Sequence, residues 1–437
     1  MSLYTEFFYS KEINQLFSDK NEVAKLLLVE AALAEAQAEC GIIPENAAQV
    51  IVRCCNVDLI NIENLKNDVQ LGGNIAIPLV RQLTAVVKNK DAEAAKFVHL
   101  GATSQDIIDT ATVLLIKEYS IWLKEKVLLL KKLLINITSE YRDVVMIGRT
   151  LLQQASPITF GLKTAYWLES IARSEERILQ SLDRLTVVQL SGAVGSGNTT
   201  IPRNVQLVFA KKLNLQPSAS WHTNRDNMAE WAAVLGILTG SIGKIAKDVS
   251  LLMQTEVGEV FEEKEEGKGG SSAMPHKRNP VTSAAIIANA ERTPHLVATI
   301  MSIQQQEHER SAGLWYAEWE VITQLMGLTA GAIEKSIGLI AGLEIDKERM
   351  LANLEITKGL IYAENVTLAL ATKMGKANAH ELIEKACKKV ISENKHLKEV
   401  LTEMKVEIPD LSTLFNPENS IGNSKEIIDS IIKKYEI

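Results

Sequence analysis

The chain has 437 residues, 46% of them hydrophobic, and a formal net charge of −7. This size and apolar content suffice for a large folded core, and the acidic balance gives no electrostatic case for binding nucleic acid or an anionic membrane. Four cysteines are too few and too irregularly spaced for a disulfide framework or a zinc site. The N-terminus has no basic region followed by an apolar one, and the most apolar uncharged run, residues 231–243, is too short to span a bilayer. We therefore expect a cytoplasmic protein that binds neither nucleic acid nor membrane.

Residues 1–110 are predicted to form a first domain of several short helices separated by turns. Residues 23–40 are rich in Ala, Leu and Glu and end at Gly41, a typical helix terminator. The turn at residues 72–78 carries one polar side chain, Asn74, among apolar neighbours. Asn74 either reaches a ligand or simply belongs to a turn.

The stretch 99–110 reads His-Leu-Gly-Ala-Thr-Ser-Gln-Asp-Ile-Ile-Asp-Thr and precedes a long apolar pattern. Thr103 followed by Asp106 is close to a capping box, which places Thr103 and Ser104 at the N-terminus of a helix. Hydroxyls and free N–H groups at such a position can hold a carboxylate. Capping alone explains Thr103 and Asp106 but not His99, so both interpretations stay open.

Five long helical patterns then predict a central bundle. In the first, alternating three- and four-residue spacings, interrupted only by Ser120, are typical of a bundle seam. Its apolar positions are 113, 116, 123, 127, 130, 134 and 137. The other four patterns cover residues 157–189, 224–261, 280–308 and 315–343. Two of them begin with a capping residue followed by proline, at Ser156-Pro157 and Asn279-Pro280.

The predicted fold class is therefore all-α, in three domains. These are an N-terminal helical domain (1–110), a central long-helix bundle domain (111–350) and a C-terminal helical domain (351–437). Long helices that are apolar on more than one face usually bury against partners, so we expect an oligomer.

Polar stretches between the helices supply further candidate residues. Arg149 precedes the second long pattern and either anchors a carboxylate through two hydrogen bonds or forms a salt bridge within the chain. Arg310 is a second candidate anion-binding residue. His222 is more typical of a structural histidine than of a proton carrier.

Residues 267–280 read Gly-Lys-Gly-Gly-Ser-Ser-Ala-Met-Pro-His-Lys-Arg-Asn-Pro. The glycines permit unusual backbone conformations, and the cations, together with the start of the following helix, favour a bound anion. Two hydroxyls amid positive charge also suggest chemistry, because such charge stabilises a deprotonated serine. The alternative is a basic, solvated surface loop.

Several motifs resemble those of the fumarase/aspartase superfamily, whose members make or break a bond β to a carboxylate. The first is the sequence from Gly270 to Pro280, and the resemblance extends over nearly the whole chain. The other motifs are His99-Leu-Gly-Ala-Thr-Ser-Gln-Asp, Gly148-Arg-Thr-x-Leu-Gln, Thr159-Phe-Gly-Leu-Lys163, Trp221-His-Thr-x-Arg-Asp226 and Glu307-His-Glu-Arg-x-x-Gly-x-Trp315. The resemblance implies an all-α homotetramer that has active sites shared between subunits, binds a small polycarboxylate and needs no metal or organic cofactor.

The resemblance also implies roles for individual residues. Ser271 resembles the general acid/base of the superfamily, with His99 and Lys277 as the other catalytic candidates. Thr103 and Ser104 resemble the hydroxyls that hold a substrate carboxylate. The remaining candidates for substrate binding are Asn74, Arg149, Gln153, Ser272, Met274, His276, Asn279 and Arg310.

Within the superfamily, the motifs are most similar to those of cycloisomerases that lactonise a carboxylated muconate, and next to those of adenylosuccinate lyases. Ala102 and Gln105 depart from the usual lyase motif, and Leu151 stands where that lyase carries its catalytic histidine. Three hypotheses follow: a cycloisomerase, a lyase that releases fumarate, and a structural helical protein that has lost its chemistry. The presence of Ser271, Lys277 and Asn279 together argues against the third.

Overall fold

The computed structural model describes residues 3–265, 267, 269–270, 274, 276–408 and 410–436. Most of these residues are helical. The α-helices are α1 Thr5–Phe8, α2 Lys11–Leu16, α3 Asp19–Glu39, α4 Glu45–Cys54, α5 Ile62–Gly72, α6 Ala76–Lys88, α7 Ser104–Glu140, α8 Phe160–Leu185, α9 Arg203–Lys212, α10 Asp226–Leu252, α11 Val281–Ser302, α12 Tyr316–Ala341, α13 Lys347–Leu354, α14 Ala363–Met374, α15 Lys376–Glu393, α16 Leu397–Glu403, α17 Leu411–Leu414 and α18 Ser424–Tyr435. The strands are β1 Val145–Thr150, β2 Gln153–Thr159, β3 Val260–Phe261 and β4 Glu344–Ile345. Short 3-10 turns occur at Val57–Leu59, Ala94–Phe97, Leu360–Tyr362 and Pro417–Ser420.

The predicted all-α class is confirmed, with only two small sheets in the described part of the chain. β1 and β2 form an antiparallel hairpin, and β3 pairs antiparallel with β4. The five predicted long helices are α7, α8, α10, α11 and α12. Every apolar seam position predicted in α7, from Val113 to Ile137, is buried, and Ser120 is buried with them.

One predicted helix start was wrong. Ser156 and Pro157 lie inside β2, where Pro157 is opposite Ile147, and α8 begins only at Phe160. A capping residue followed by proline is a local signal, whereas strand pairing depends on a partner elsewhere in the chain.

The chain divides into two compact units, each made of three segments. The first comprises Met1–Val127, Ser174–Gly240 and Ala288–Glu334. Its core includes Tyr119, whose ring meets Trp231 edge-on at 6.2 Å and whose hydroxyl donates to the Met326 carbonyl at 2.9 Å. Such edge-on pairs are favoured beyond the area that they bury.

The second unit comprises Leu128–Arg173, Ser241–Ile287 and Lys335–Ile437. In its core the Phe160 and Trp167 rings meet edge-on at 6.1 Å, and the indole N–H of Trp167 donates to Asp248 at 2.8 Å. A second apolar cluster joins α14, α15 and α16 through residues such as Val366 and Leu401. The predicted division into three domains, with borders near residues 110 and 350, stays a prediction.

Among the described residues, α10 alone is long and apolar enough to cross a membrane by length and composition. Within its most apolar window, 61% is buried inside the protein. The core helices of soluble proteins have this character, and α10 supplies buried residues such as Trp231 and Leu238.

Candidate active site

Helix α7 begins at Ser104, where the capping interaction predicted from the sequence is present. The Asp106 carboxylate accepts a hydrogen bond from the Thr103 backbone N–H at 3.0 Å, and the Asp106 N–H donates to the Thr103 carbonyl at 3.0 Å. Thr103 and Ser104 therefore lie at the helix N-terminus, as predicted. Since the Thr103 side chain takes no part in the cap, its hydroxyl is left for other partners.

That hydroxyl accepts a hydrogen bond from Arg310. The Arg310 Nη1 atom lies 2.6 Å from Thr103 Oγ1. No carboxylate pairs with Arg310 in the part of the chain that the structure describes, and the Ser104 hydroxyl has no hydrogen-bond partner there. A guanidinium that keeps its charge beside two hydroxyls can bind a carboxylate through charge-assisted hydrogen bonds.

His99 lies five residues before α7 and adopts a left-handed backbone conformation, with φ of 56°. Its Nδ1 lies 2.7 Å from the Oε1 atom of buried Glu30. Burial alone would lower the pKa of His99, but the charge of Glu30, the hydrogen bond to it and the charge of Asp106 together raise it above 6.5. The contact with Glu30 thus shifts His99 toward the imidazolium form relative to a free histidine, which is the direction that a proton donor requires. The catalytic role of His99 stays a prediction.

Asp106 is completely buried and does more than cap α7. Besides the Thr103 N–H, its carboxylate accepts hydrogen bonds from four donors. They are the Ser191 and Gly192 backbone N–H groups at 3.0 and 2.9 Å, Gln189 Nε2 at 3.3 Å and His222 Nε2 at 3.0 Å. Asp106 therefore fixes the start of α7 against the glycine-rich segment after α8. His222, almost fully buried, has the structural contact expected for it.

A buried ion cluster lies one helical turn further along α7. Arg225 donates from Nη1 to Asp109 Oδ2 at 2.7 Å and from Nε to Glu318 Oε2 at 3.0 Å, and all three side chains are buried. Trp315 Nε1 also donates to Asp109, at 3.0 Å. Burial raises the pKa of Glu318, although Arg225 opposes the shift. Burial would lower the pKa of Arg225, but the charges of Asp109 and Glu318 outweigh it and hold that pKa above its ordinary value. This cluster was not predicted from the sequence, although a charged residue inside an apolar helical pattern, such as Asp109, was a usable signal.

Asn74 lies two residues before α6 in the same unit. Its Oδ1 accepts from the backbone N–H groups of Ala76 at 3.1 Å and Ile77 at 3.3 Å. This is the turn interpretation that the sequence left open. The predicted contact between Asn74 and a ligand is not tested by this geometry.

In the second unit, Arg149 has an internal partner. Its guanidinium donates to both oxygens of buried Glu259, at 2.8 and 2.6 Å, and Asn353 Nδ2 donates to the same carboxylate at 2.7 Å. This is the salt bridge weighed as the alternative for Arg149. Its positive charge is compensated within the chain, which weakens the case for Arg149 as a substrate anchor.

Two of the predicted loop residues, Ser271 and Ser272, lie outside the described residues. Of the others, Met274, His276 and Lys277 are exposed. The Lys277 ammonium contacts no carboxylate among the described residues. Within the described residues, Lys277 is thus a cation whose charge no carboxylate compensates.

The two ends of the loop are held together through Gly269 and Asn279. The Asn279 N–H donates to the Gly269 carbonyl at 2.9 Å, and Asn279 Nδ2 reaches the Gly270 carbonyl at 3.5 Å. Gly269 has a φ of 66°, and a Cβ there would lie 2.7 Å from the Asn279 carbonyl oxygen, so this position requires glycine.

The start of α11 differs from its predicted role as an anion site. The carboxylate of Glu262 accepts from the N–H groups of Thr282 and Ser283, at 3.0 and 2.7 Å, and from the Ser283 hydroxyl at 2.7 Å. Glu262 is buried, so a side chain of this protein already occupies the positive end of the helix. Arg278 is also paired, with Glu344 at 2.9 Å.

Gln153 is the first residue of β2 and is exposed. The turn before it consists of Leu151 and Leu152, which have φ values of 50° and 64°. A Leu in this region of φ is unusual because its Cβ crowds the backbone.

Of the predicted site residues, Thr103, Ser104 and Arg310 lie close together, in the first unit.

Comparison with known proteins places the chain in a family. The sequence profile of the family described as "Lyase" matches residues 4–294, and the profile described as "Adenylosuccinate lyase C-terminus" matches residues 359–431. The chain belongs to this lyase family. It is thus an enzyme of the fumarase/aspartase superfamily, as its motifs predicted.

Individual members of the lyase family match over almost the full length. The 3-carboxy-cis,cis-muconate cycloisomerase of Acinetobacter baylyi is 44% identical, and the match covers 99% of this chain and 98% of the relative. The crystal structure of a 3-carboxy-cis,cis-muconate lactonizing enzyme from Pseudomonas putida matches with a TM-score of 0.93 and 37% identity over 99% of this chain and 98% of that one. The structure of the β-carboxy-cis,cis-muconate cycloisomerase of Acinetobacter calcoaceticus matches with a TM-score of 0.92 and 42% identity over 99% and 100%.

Proposed function

We propose that the protein is a 3-carboxy-cis,cis-muconate cycloisomerase. The observation that carries this proposal is the full-length likeness to enzymes of that name. The guanidinium of Arg310, which meets no carboxylate among the described residues, lies beside the hydroxyls at the start of α7 and supports the proposal. The substrate carries three carboxylates and needs cationic and hydroxyl partners.

The reaction is an intramolecular addition. One carboxylate oxygen of the substrate forms a C–O bond to an alkene carbon, and the π electrons move toward a neighbouring carboxylate, which becomes an enolate-like dianion. A proton then adds to the adjacent carbon, and solvent replaces that proton on the enzyme. The product is a carboxymuconolactone. Because nucleophile and alkene belong to one molecule, the enzyme must chiefly hold a reactive conformer and stabilise the developing charge.

We assign the groups as follows. Arg310, Thr103 and Ser104 hold one carboxylate, and Lys277 stabilises the developing negative charge. Ser271 delivers the proton to carbon, or removes it in the reverse direction. The other binding groups in this assignment are Gln153, Asn279, His276, Ser272, Met274, Asn74 and Arg149, with His99 as a further proton carrier.

We also propose that four copies of the chain form the enzyme, with active sites shared between subunits. Each of the five long helices exposes at least one large apolar side chain in the isolated chain, as expected of surfaces that bury against partners. They are Ile121 and Leu129 of α7, Tyr166 and Leu179 of α8, Ile237 of α10, Met301 of α11 and Tyr316 of α12. Light scattering on the purified protein would test this, and a monomer at assay concentrations would contradict it. The three-domain division and a cytoplasmic location complete the proposal.

The second candidate is a lyase that releases fumarate, such as adenylosuccinate lyase. The observation in its favour is the match of residues 359–431 to the C-terminal profile of adenylosuccinate lyase. Leu151 speaks against it, because that lyase family carries its catalytic histidine there.

A side-by-side ultraviolet assay with 3-carboxy-cis,cis-muconate and adenylosuccinate distinguishes the two. We expect loss of the diene absorbance of the muconate and no change in the nucleotide. Cleavage of adenylosuccinate alone would overturn the proposal. A structural protein without chemistry would leave both compounds intact, whereas the cycloisomerase should lose nearly all turnover in Ser271→Ala.

A further inference from the structure

The turn between β1 and β2 exposes two leucines in an unfavourable backbone conformation. Leu151 is 96% exposed and Leu152 is 78% exposed, and both have positive φ. A left-handed backbone conformation costs free energy for any residue with a Cβ. A leucine that stays exposed to water gains none of the stabilisation that burial of its side chain would give. Strain of this kind is often retained where a side chain must be presented to a ligand.

The two leucines line a cavity of about 510 Å³. The hairpin, the first turns of α8 and the end of α10 form its walls. Its lining also includes Lys163, Asp248, Leu251 and Val257. The cavity thus combines apolar walls with a few charged groups, as small-molecule sites commonly do.

Most of the charged groups here are already compensated. Arg149 is paired with Glu259, and Asp248 accepts from the Trp167 indole and pairs with Lys244. Lys163 differs, because no carboxylate among the described residues lies within ion-pair distance of its ammonium. In the described part of the chain, the cavity therefore carries one ammonium that forms no ion pair.

The electrostatics of Lys163 agree with this description. Burial lowers the pKa of its ammonium, and the nearby cations Lys244 and Arg149 add to this shift, while the carboxylates of Asp248 and Glu259 oppose it without cancelling it. A lowered pKa means that the charged form is held in an environment that does not stabilise it fully. A bound anion would supply the missing stabilisation.

We propose that this cavity binds a small organic carboxylate, which pairs with Lys163 while its hydrocarbon part packs on Leu151 and Leu152. The carboxylate belongs either to the substrate or to a separate effector of the same chemistry. In the first case, the inference rests on the proposed function and makes Lys163 a substrate-binding residue. Binding measurements test the cavity in both cases.

The probe is adipate, which joins two carboxylates by a four-carbon apolar chain. Isothermal titration would compare the wild type with Lys163→Met, Lys163→Arg and Lys247→Met. Lys247 is the matched control, because it is an exposed lysine on α10 that does not line the cavity. We expect Kd to rise about tenfold or more in Lys163→Met, to change little in Lys163→Arg and to be unaffected in Lys247→Met. Absence of adipate binding by the wild type, or equal binding by Lys163→Met, would overturn the proposal.

A labelling experiment on the wild type removes any dependence on the folding of variants. An amine-reactive reagent followed by peptide mass spectrometry reports the modification rate of each lysine. Adipate should protect Lys163 and leave Lys247 unchanged, and equal labelling of Lys163 with and without adipate would contradict the site. Leu151→Asn adds a test of the apolar wall, because Asn tolerates positive φ. It should bind adipate more weakly without loss of thermal stability.

Steady-state kinetics then separate the two sources of the carboxylate. Competitive inhibition of muconate turnover by adipate, relieved in Lys163→Met, would place the substrate in the cavity. Non-competitive inhibition, also relieved in Lys163→Met, would indicate a separate effector. If adipate protects Lys163 from labelling but the protein does not turn over 3-carboxy-cis,cis-muconate, this inference would stand and the proposed function would be refuted.

Discussion

Arg310 and Thr103 are joined by a hydrogen bond of 2.6 Å between the guanidinium and the hydroxyl, at the point where the longest helix begins. The two residues are 207 positions apart in the sequence, so this contact exists only in the folded chain. Among the described residues no acid neutralises Arg310, in contrast to Arg149, Arg225 and Arg278. Of these four arginines, Arg310 is therefore the one whose charge is most available to a substrate carboxylate.

The first prediction concerns Arg310→Met. Loss of a charge-assisted hydrogen bond to a substrate carboxylate should raise KM at least about tenfold, with little change in thermal stability. Steady-state kinetics and thermal unfolding would measure the two effects. Arg184→Met is the matched control, because Arg184 pairs with Glu230 at the surface and should leave KM unchanged. A stability loss in Arg310→Met without a change in KM would identify Arg310 as purely structural.

The second prediction concerns the buried ion cluster of Arg225, Asp109 and Glu318. Arg225→Met would leave two buried carboxylates without a counter-charge, which should lower the free energy of unfolding by about 3–5 kcal/mol. Denaturant unfolding would measure the loss. Arg184→Met again serves as the control, since its exposed ion pair should contribute little. Equal stability of the two variants would contradict the importance of the cluster.

The parts of the fold that were predictable depend on local patterns. The seam of α7 could be predicted because its three- and four-residue spacing is a property of neighbouring positions. Thr103 and Asp106 are likewise close in sequence, and their cap was predicted correctly. The hairpin that contains Pro157 was missed because its pairing involves a second segment of the chain.

The candidate site was less predictable for the same reason. The sequence shows that Arg149 and Arg310 are both cations. It cannot show that Glu259, 110 positions from Arg149, neutralises Arg149 and not Arg310. Glu262 similarly occupies the start of α11 that had been assigned to a bound anion. Which charges remain unpaired is a property of the three-dimensional structure.

The third prediction concerns Gly101, which has a φ of 77° beside Asn198 and Thr200. A Cβ at Gly101 would collide with the Thr200 hydroxyl and lie 2.8 Å from Asn198 Oδ1. Gly101→Ala should therefore lose about 1 kcal/mol of stability from backbone strain and a further ~1–3 kcal/mol from overcrowding.

Gly41→Ala is the matched control for Gly101→Ala. Gly41 has a φ of 73°, but no atom of the described residues lies within 4 Å of its Cβ position, so only the backbone strain should lower the stability. Adding Thr200→Ala to Gly101→Ala should restore part of the loss. Denaturant unfolding would measure all three variants, and equal losses at the two glycines would refute the predicted collision.

The fourth prediction is a pH dependence of stability that arises from His99 and Glu30. The folded-state pKa of His99 lies above its ordinary value of 6.5 because the Glu30 carboxylate pairs with the imidazolium. A histidine whose pKa is raised on folding stabilises the protein fully at pH values below its pKa in the unfolded chain. This stabilisation is lost as the pH rises through its pKa in the folded protein. The stability advantage of the wild type over Glu30→Gln should therefore be largest near pH 6 and shrink as the pH rises through the folded-state pKa of His99. Urea unfolding as a function of pH would measure the difference. His380→Asn, a change at an exposed histidine, is the control and should leave the pH profile unaltered. A difference between wild type and Glu30→Gln that is constant with pH, or that grows as the pH rises, would mean that the His99–Glu30 pair does not titrate as the geometry implies.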